Sequence, residues 1–214
     1  MYTAIIEFFV KGGTFMYPIA IVFALGLAVA IERWLYLTIE STRNRQLWTQ
    51  LSPVLQQGNF RQALALCQKS TAAIGSILTY GLSRLESVRR RDDVEKAMEE
   101  SLMEVMPRLE KRTHYLATFA NLATLLGLLG TIIGLISAFT AVANANPSEK
   151  ADLLSASISV AMNTTAFGLI VAIPLLLIHA VLTSKTTELV DSLEMASVKF
   201  LNSVIERREG AAAV

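Results

Sequence analysis

The sequence predicts an all-α membrane protein with three transmembrane helices, the second and third extended into a cytoplasmic helical bundle. Three observations carry this. The apolar runs 15–37, 115–142 and 155–182 each exceed the about 20 residues that cross a bilayer at about 1.5 Å rise per residue. Apolar side chains make up 53% of the 214 residues and charged ones 17%, with a mean hydropathy of +0.47, outside the usual range of soluble domains. The second and third runs hold no titratable group except Tyr115 at one edge and His179 near the other.

Taken in order, residues 1–13 form an amphipathic segment, with Tyr2, Ile5, Ile6, Phe8 and Phe9 around Glu7, broken by Gly12 and Gly13 and expected on the outer face. No basic stretch precedes the first run and no small-residue cleavage site follows it, so it reads as a retained transmembrane helix over 14–38 rather than a signal peptide. Glu32 and Arg33 end that run as cytoplasmic-interface charges expected to pair or snorkel, beside the interfacial anchors Trp34 and Tyr36. Residues 39–113 form a cytoplasmic helical region. Within it Ser52-Pro53 opens a short helix that Gly58 ends, and Asn59 caps the next, over 60–69. Asp92 with Glu95 makes a capping box for one long helix over 93–142, bent near Pro107. It carries the second transmembrane helix, 114–143.

A periplasmic loop over 144–153 leads to the third transmembrane helix, 154–182, with Pro174 as its expected kink. The cytoplasmic helical tail 183–214 places Leu189, Leu193, Ala196, Phe200 and Val204 at helical spacing, opposite Glu188, Asp191, Glu194 and Lys199. Of the 19 lysines and arginines, all but Lys11, Arg33 and Lys150 fall in the middle region or the tail. Basic residues stay on the cytoplasmic side, so the amino terminus is expected in the periplasm and the carboxyl terminus in the cytoplasm.

A net charge of +1 argues against a nucleic-acid partner and leaves membrane lipid as the surface partner. Cys67 is alone and has no disulfide partner; with His114 and His179 it makes no metal-ligand set, and no cofactor motif occurs. No nucleophile with a base and no phosphate-binding glycine loop points to an enzyme.

The polar residues of the two spans fall on definite faces. Asn121, Thr124, Leu128, Thr131 and Leu135 share a stripe on the second, near Gly127, Gly130 and Gly134. Ser157, Ala161, Thr164, Gly168 and Ala172 form a small-residue stripe on the third, flanked by Asn163 and Thr165. Such small residues let helices approach closely. Counted from the outer ends, Thr131 lies about 17 Å deep and Thr165 about 15 Å, one level in the membrane. A hydroxyl there either bonds its own helix backbone or joins a polar track for an ion.

Gly127-Leu-Leu-Gly-Thr-Ile-Ile-Gly134 and Asn163-Thr-Thr-Ala-Phe-Gly-Leu-Ile-Val-Ala-Ile-Pro174 together resemble the signature of the ExbB, TolQ and MotA family of ion-driven membrane motor subunits. Ile31-Glu-Arg-Trp-Leu-Tyr-Leu37 and Gly58-Asn-Phe-Arg-Gln-Ala-Leu-Ala-Leu-Cys67 resemble it too, and three spans place the chain nearer ExbB and TolQ than MotA. The resemblance implies the ion-conducting subunit of an inner-membrane motor. It implies a pentamer around two copies of a single-span ExbD/TolR-like partner, whose aspartate carries the ion past Thr131 and Thr165 and whose outer domain passes energy to the envelope or outer membrane. Thr124, Gly127, Gly130, Gly134, Ala161 and Gly168 then line the pore or pack its helices.

Two positions depart from the family pattern. Val160 stands where a glutamate is common, and Thr164 precedes Thr165 where proton-using members have alanine. Thr164, Thr165, Thr131 and Asn163 together offer oxygen ligands that suit sodium, which resembles sodium-driven relatives of MotA, so of Na+ and H+ the sequence leans to Na+. The alternative reading is a passive membrane scaffold for a partner, without ion flux.

Overall fold

The computed structural model describes residue 9 and residues 12–87, 91–143 and 145–212, so the amphipathic segment expected over 1–13 lies mostly outside the described residues. The described chain forms helices α1 (Met16–Gln57), α2 (Phe60–Lys69), α3 (Ala73–Ser87), α4 (Arg91–Glu110), α5 (Thr113–Ala143) and α6 (Lys150–Ala212), with no strand among the described residues. Helical stretches long and apolar enough to cross a bilayer lie within Met16–Gln57, Asp92–Ala143 and Lys150–Val204. The protein is a multi-pass, all-α membrane protein.

Two compact units divide the chain. The first comprises Met1–Glu32 and Arg112–Val181, the second Arg33–Lys111 and Leu182–Val214.

In the first unit, Gly13 at φ 76 turns the chain into α1, and its carbonyl accepts the Met16 N–H at 3.2 Å. Met16, Ile19, Leu116, Ala120, Val171 and Leu175 are buried between the helices. Ile21, Leu25, Leu125, Ile132, Ile170 and Leu177 are exposed, and this apolar exterior is the surface that lipid or further protein covers in a membrane. The continuous helix expected over 93–142 is instead two: α4 ends at Glu110, past Pro107, and α5 begins at Thr113. The break is made at Arg112, which adopts a left-handed φ of 68 and whose carbonyl accepts the Tyr115 N–H at 3.1 Å. A non-glycine residue there carries strain of about 1–3 kcal/mol. The Arg112 guanidinium lies 3.7 Å from the Glu32 carboxylate, an exposed pair of small energetic weight.

The second unit is built around the long side chains of α1. Leu47, Leu51 and Leu55 are buried at four-residue spacing, which keeps α1 helical through Pro53; Ser52-Pro53 therefore opens no new helix, contrary to the reading from sequence. Gly58, at φ 75, ends α1, and the Asn59 side chain accepts the Gln62 N–H at 3.2 Å to cap α2 as expected. Two further caps come from α1: Glu40 Oε1 accepts the Ala73 N–H at 2.6 Å and Asn44 Oδ1 the Ile74 N–H at 3.1 Å, both at the start of α3.

At the other end of α4, Arg33 donates to the carbonyls of Leu109 at 2.6 Å and Arg108 at 3.3 Å and stands over the Tyr36 ring at 4.6 Å. Arg33 is only 2% exposed, so it does not snorkel as expected; it satisfies the terminal carbonyls of α4, where the helix dipole favours a cation. Lys185 takes the interfacial role, bonding Thr38 at 2.7 Å and lying 4.3 Å from the Trp34 ring centre. The expected stripe Leu189, Leu193, Ala196, Phe200 and Val204 is buried, with Glu188, Asp191, Glu194 and Lys199 exposed. Asp92 and Asp93 lie in the first turn of α4, which starts at Arg91 rather than after a cap at Asp92. Cys67 is buried, and desolvation pushes its thiol up to about 11.

Candidate functional site

The first unit brings α5 and α6 to backbone contact at glycine. A Cβ added to Gly168 would stand 2.7 Å from the Ala123 carbonyl oxygen, and one on Gly127 would stand 3.3 Å from Gly168 Cα, Thr165 Cα and the Thr164 carbonyl oxygen. A side chain at Gly168 would force the backbones apart, and one at Gly127 would require them to give by a few tenths of an ångström. Above it Gly134 faces Ala161, where an added Cβ would lie 2.9 Å from the alanine methyl, and Gly130 faces the Thr164 side chain. Gly127, Gly130, Gly134, Ala161 and Gly168 thus set the spacing of the two helices.

That spacing joins Thr131 and Thr165, whose hydroxyls hydrogen-bond each other. Thr131 also lies 3.2 Å from its own helix carbonyl, Gly127 O, and 3.3 Å from Ala161 O across the interface. Thr165 reaches across to Gly127 O at 2.9 Å. The pattern is reciprocal: each threonine meets the carbonyl four residues before the other, so neither hydroxyl bonds its own backbone alone. Four oxygens share two hydroxyl hydrogens. The two carbonyls also accept the amide hydrogens of their own helices, so the surplus lone pairs are those of the hydroxyl oxygens, which can accept from an external donor or ligate a cation.

The remaining residues of interest fall elsewhere. Thr164, 2% exposed, is turned away from the pair: it donates to Gly12 O at 2.6 Å and lies 3.0 Å from Val160 O. Asn163 is half-buried and makes no hydrogen bond among the described residues. Thr124 is exposed and bonds its own helix at Ala120 O, 3.1 Å. Glu32 pairs with Arg112 in this unit, whereas Arg33 caps α4 in the second. A cavity of about 250 Å³ opens beside Gly12, Gly130, Ser137, Ser157, Val160 and Thr164. The Gly12, Gly127 and Ala161 carbonyls were not legible beforehand, because a backbone acceptor leaves no mark in residue identity.

Chemically, the threonine pair can accept a hydrogen bond or ligate a cation, but alcohol groups do not ionise near neutral pH. Neither α5 nor the part of α6 from 155 to 182 contains a carboxylate. Neither run therefore offers a carboxylate that binds and releases a proton at the pair.

Comparison with known proteins converges on the same segments. A family model described as the MotA/TolQ/ExbB proton channel family matches residues 69–195, which include α5 and the threonine pair. The putative biopolymer transport protein ExbB homolog of Methanothermobacter thermautotrophicus is 30% identical over 193 residues, 89% of this chain and 67% of that protein. The putative biopolymer transport protein ExbB-like 1 of Synechocystis is 29% identical over 191 residues, 87% of this chain and 74% of that protein. The biopolymer transport protein ExbB of Aquifex aeolicus is 32% identical over 111 residues, 52% of this chain and 72% of that protein.

Proposed function

This chain belongs to the MotA/TolQ/ExbB proton channel family, and from that premise we propose that it is the ion-conducting subunit of an inner-membrane motor that drives a single-span partner. The observation that carries the reading is the reciprocal Thr131–Thr165 cluster, an acceptor-rich site within apolar helices that have no acid of their own. In this reading five copies surround two copies of an ExbD/TolR-like partner, and an aspartate on the partner's transmembrane helix is the proton carrier. A neutral, protonated carboxyl donates its hydrogen to the surplus lone pairs of the pair; once ionised, it is released toward water, where its charge is better solvated. Repetition of that cycle turns the partner, whose outer domain delivers the work to the envelope. The amino terminus lies in the periplasm and the carboxyl terminus in the cytoplasm.

Between sodium and the proton, the engagement of Thr164 supports the proton. Its side chain is 2% exposed and held against Gly12 O and Val160 O, turned away from the Thr131–Thr165 pair, which leaves the ligand set that sodium would use one oxygen short. Val160, in the place of the family's common glutamate, offers no relay, so the carboxyl and water have to complete the path.

Ion flux into liposomes containing this chain and its partner tests the reading. Flux driven by a proton gradient that needs the partner, falls by about tenfold or more in Thr165→Ala and persists in Thr165→Ser is the expected result. An assembled complex with wild-type flux in both Thr165→Ala and Thr131→Ala overturns it and favours the scaffold.

A further inference from the structure

Asn121 lies on α5 within the apolar run, is exposed, and makes no hydrogen bond among the described residues. Its neighbours differ from it: Thr118 bonds His114 O at 3.3 Å and Thr124 bonds Ala120 O at 3.1 Å, so their hydrogens are spent on the helix. An amide has two donor hydrogens and an acceptor oxygen, and turned to hydrocarbon it loses every hydrogen bond that water gave it. At about 100° per residue, Asn121, Thr124, Leu128 and Thr131 fall within an arc of about 80°, which runs from the edge of the buried face of α5, beside Ala120 and Gly127, at Thr131 to the exposed face at Asn121. Thr118 and His114, also exposed, continue the polar residues to the start of α5, about 25 Å from Thr131.

We infer that Asn121 lines the aqueous half of the ion path between the Thr131–Thr165 pair and His114, and hydrogen-bonds the permeating ion or the water that carries it. The inference rests on the pore reading above and adds to it a polar side chain roughly midway between the pair and the mouth. Between the pair and Asn121 the same flank carries Leu128 and Thr124, whose hydrogen is spent on Ala120 O, so on the way from the pair to His114 the amide is the first side chain with free donor hydrogens.

Two measurements on the complex with its partner in liposomes test it. Asn121→Leu, which suits hydrocarbon but bonds no water, is expected to cut flux about tenfold, whereas Asn121→Ser restores a polar group and most of the flux. Asn121→Cys is expected to react with a charged, water-soluble thiosulfonate, while Leu122→Cys, about 100° round the helix, stays unlabelled. The native Cys67 gives little background, because it is buried and its thiol is pushed up to about 11. Unchanged flux in Asn121→Leu, or an Asn121→Cys complex that the charged reagent does not label, overturns the inference. If Asn121→Leu fails to assemble, the labelling decides. Loss of flux in Thr165→Ala alongside wild-type Asn121→Leu refutes this inference alone, whereas wild-type flux in Thr165→Ala refutes the pore reading on which it stands.

Discussion

Replacing Gly168 by alanine tests whether the helix contact holds the threonine pair in register. The new methyl would stand 2.7 Å from the Ala123 carbonyl oxygen, a backbone atom that no rotamer change can move. Ordinary contact begins at 3.4 Å, so α5 and α6 must separate there by about 0.7 Å. Thr165 is less than one turn away, and its 2.9 Å bond to Gly127 O would stretch to about 3.6 Å, where a hydrogen bond is lost. Overpacking of this kind costs about 1–3 kcal/mol, to which the weakened bond adds about 1 kcal/mol. The assay pairs the thermal midpoint of the detergent-purified protein with ion flux in the reconstituted complex. A lowered midpoint together with reduced flux is expected. An alanine variant with wild-type midpoint and wild-type flux would refute the argument that the glycine contact positions the two hydroxyls.

Other consequences follow from the second unit. Arg33→Leu leaves the Leu109 and Arg108 carbonyls without their buried donor and should destabilise the protein by about 1.5–3 kcal/mol, with Arg33→Lys recovering only part, as read by denaturant midpoint. Asn44→Ala removes a cap from α3 and should cost about 1 kcal/mol, seen as faster proteolysis near Ala73; unchanged cleavage would rule the cap unimportant. Cys67 should resist thiol reagents at pH 8 in the native protein and react promptly once unfolded. Because its native thiol ionises near pH 11 rather than 9, the unfolded chain loses its proton first as pH rises, so the Cys67 contribution favouring the native state falls from about pH 9 to about pH 11 and is intact below. A Cys67→Ala variant should lack that alkaline component.

The sequence located what depends on side-chain type at a fixed period. Three apolar runs, the buried stripe from Leu189 to Val204 and the meeting of Thr131 with Thr165 all follow from 1.5 Å rise and 3.6 residues per turn. What escaped it depends on partners far apart in the chain. Arg33 looks like any interfacial arginine until the end of α4, 76 residues on, presents carbonyls to it. Pro53 reads as the start of a new helix, yet the buried Leu51 and Leu55 on either side of it hold α1 continuous; Pro107 reads as a bend, and α4 runs through it to Glu110. The real break, at Arg112, has no glycine or proline to announce it.

The reciprocal bonding of the threonines also bears on how fast the site turns over. With no ion present, both hydroxyl hydrogens already have acceptors, and rotation of the two hydroxyls exchanges one satisfied arrangement for another. An arriving donor therefore gains only the difference between new and old hydrogen bonds, not the full value of filling a starved site. On the proposed reading, occupancy of the pair is shallow and brief, which is what sustained throughput requires: a site that bound its cargo tightly would stall the cycle at its most stable step.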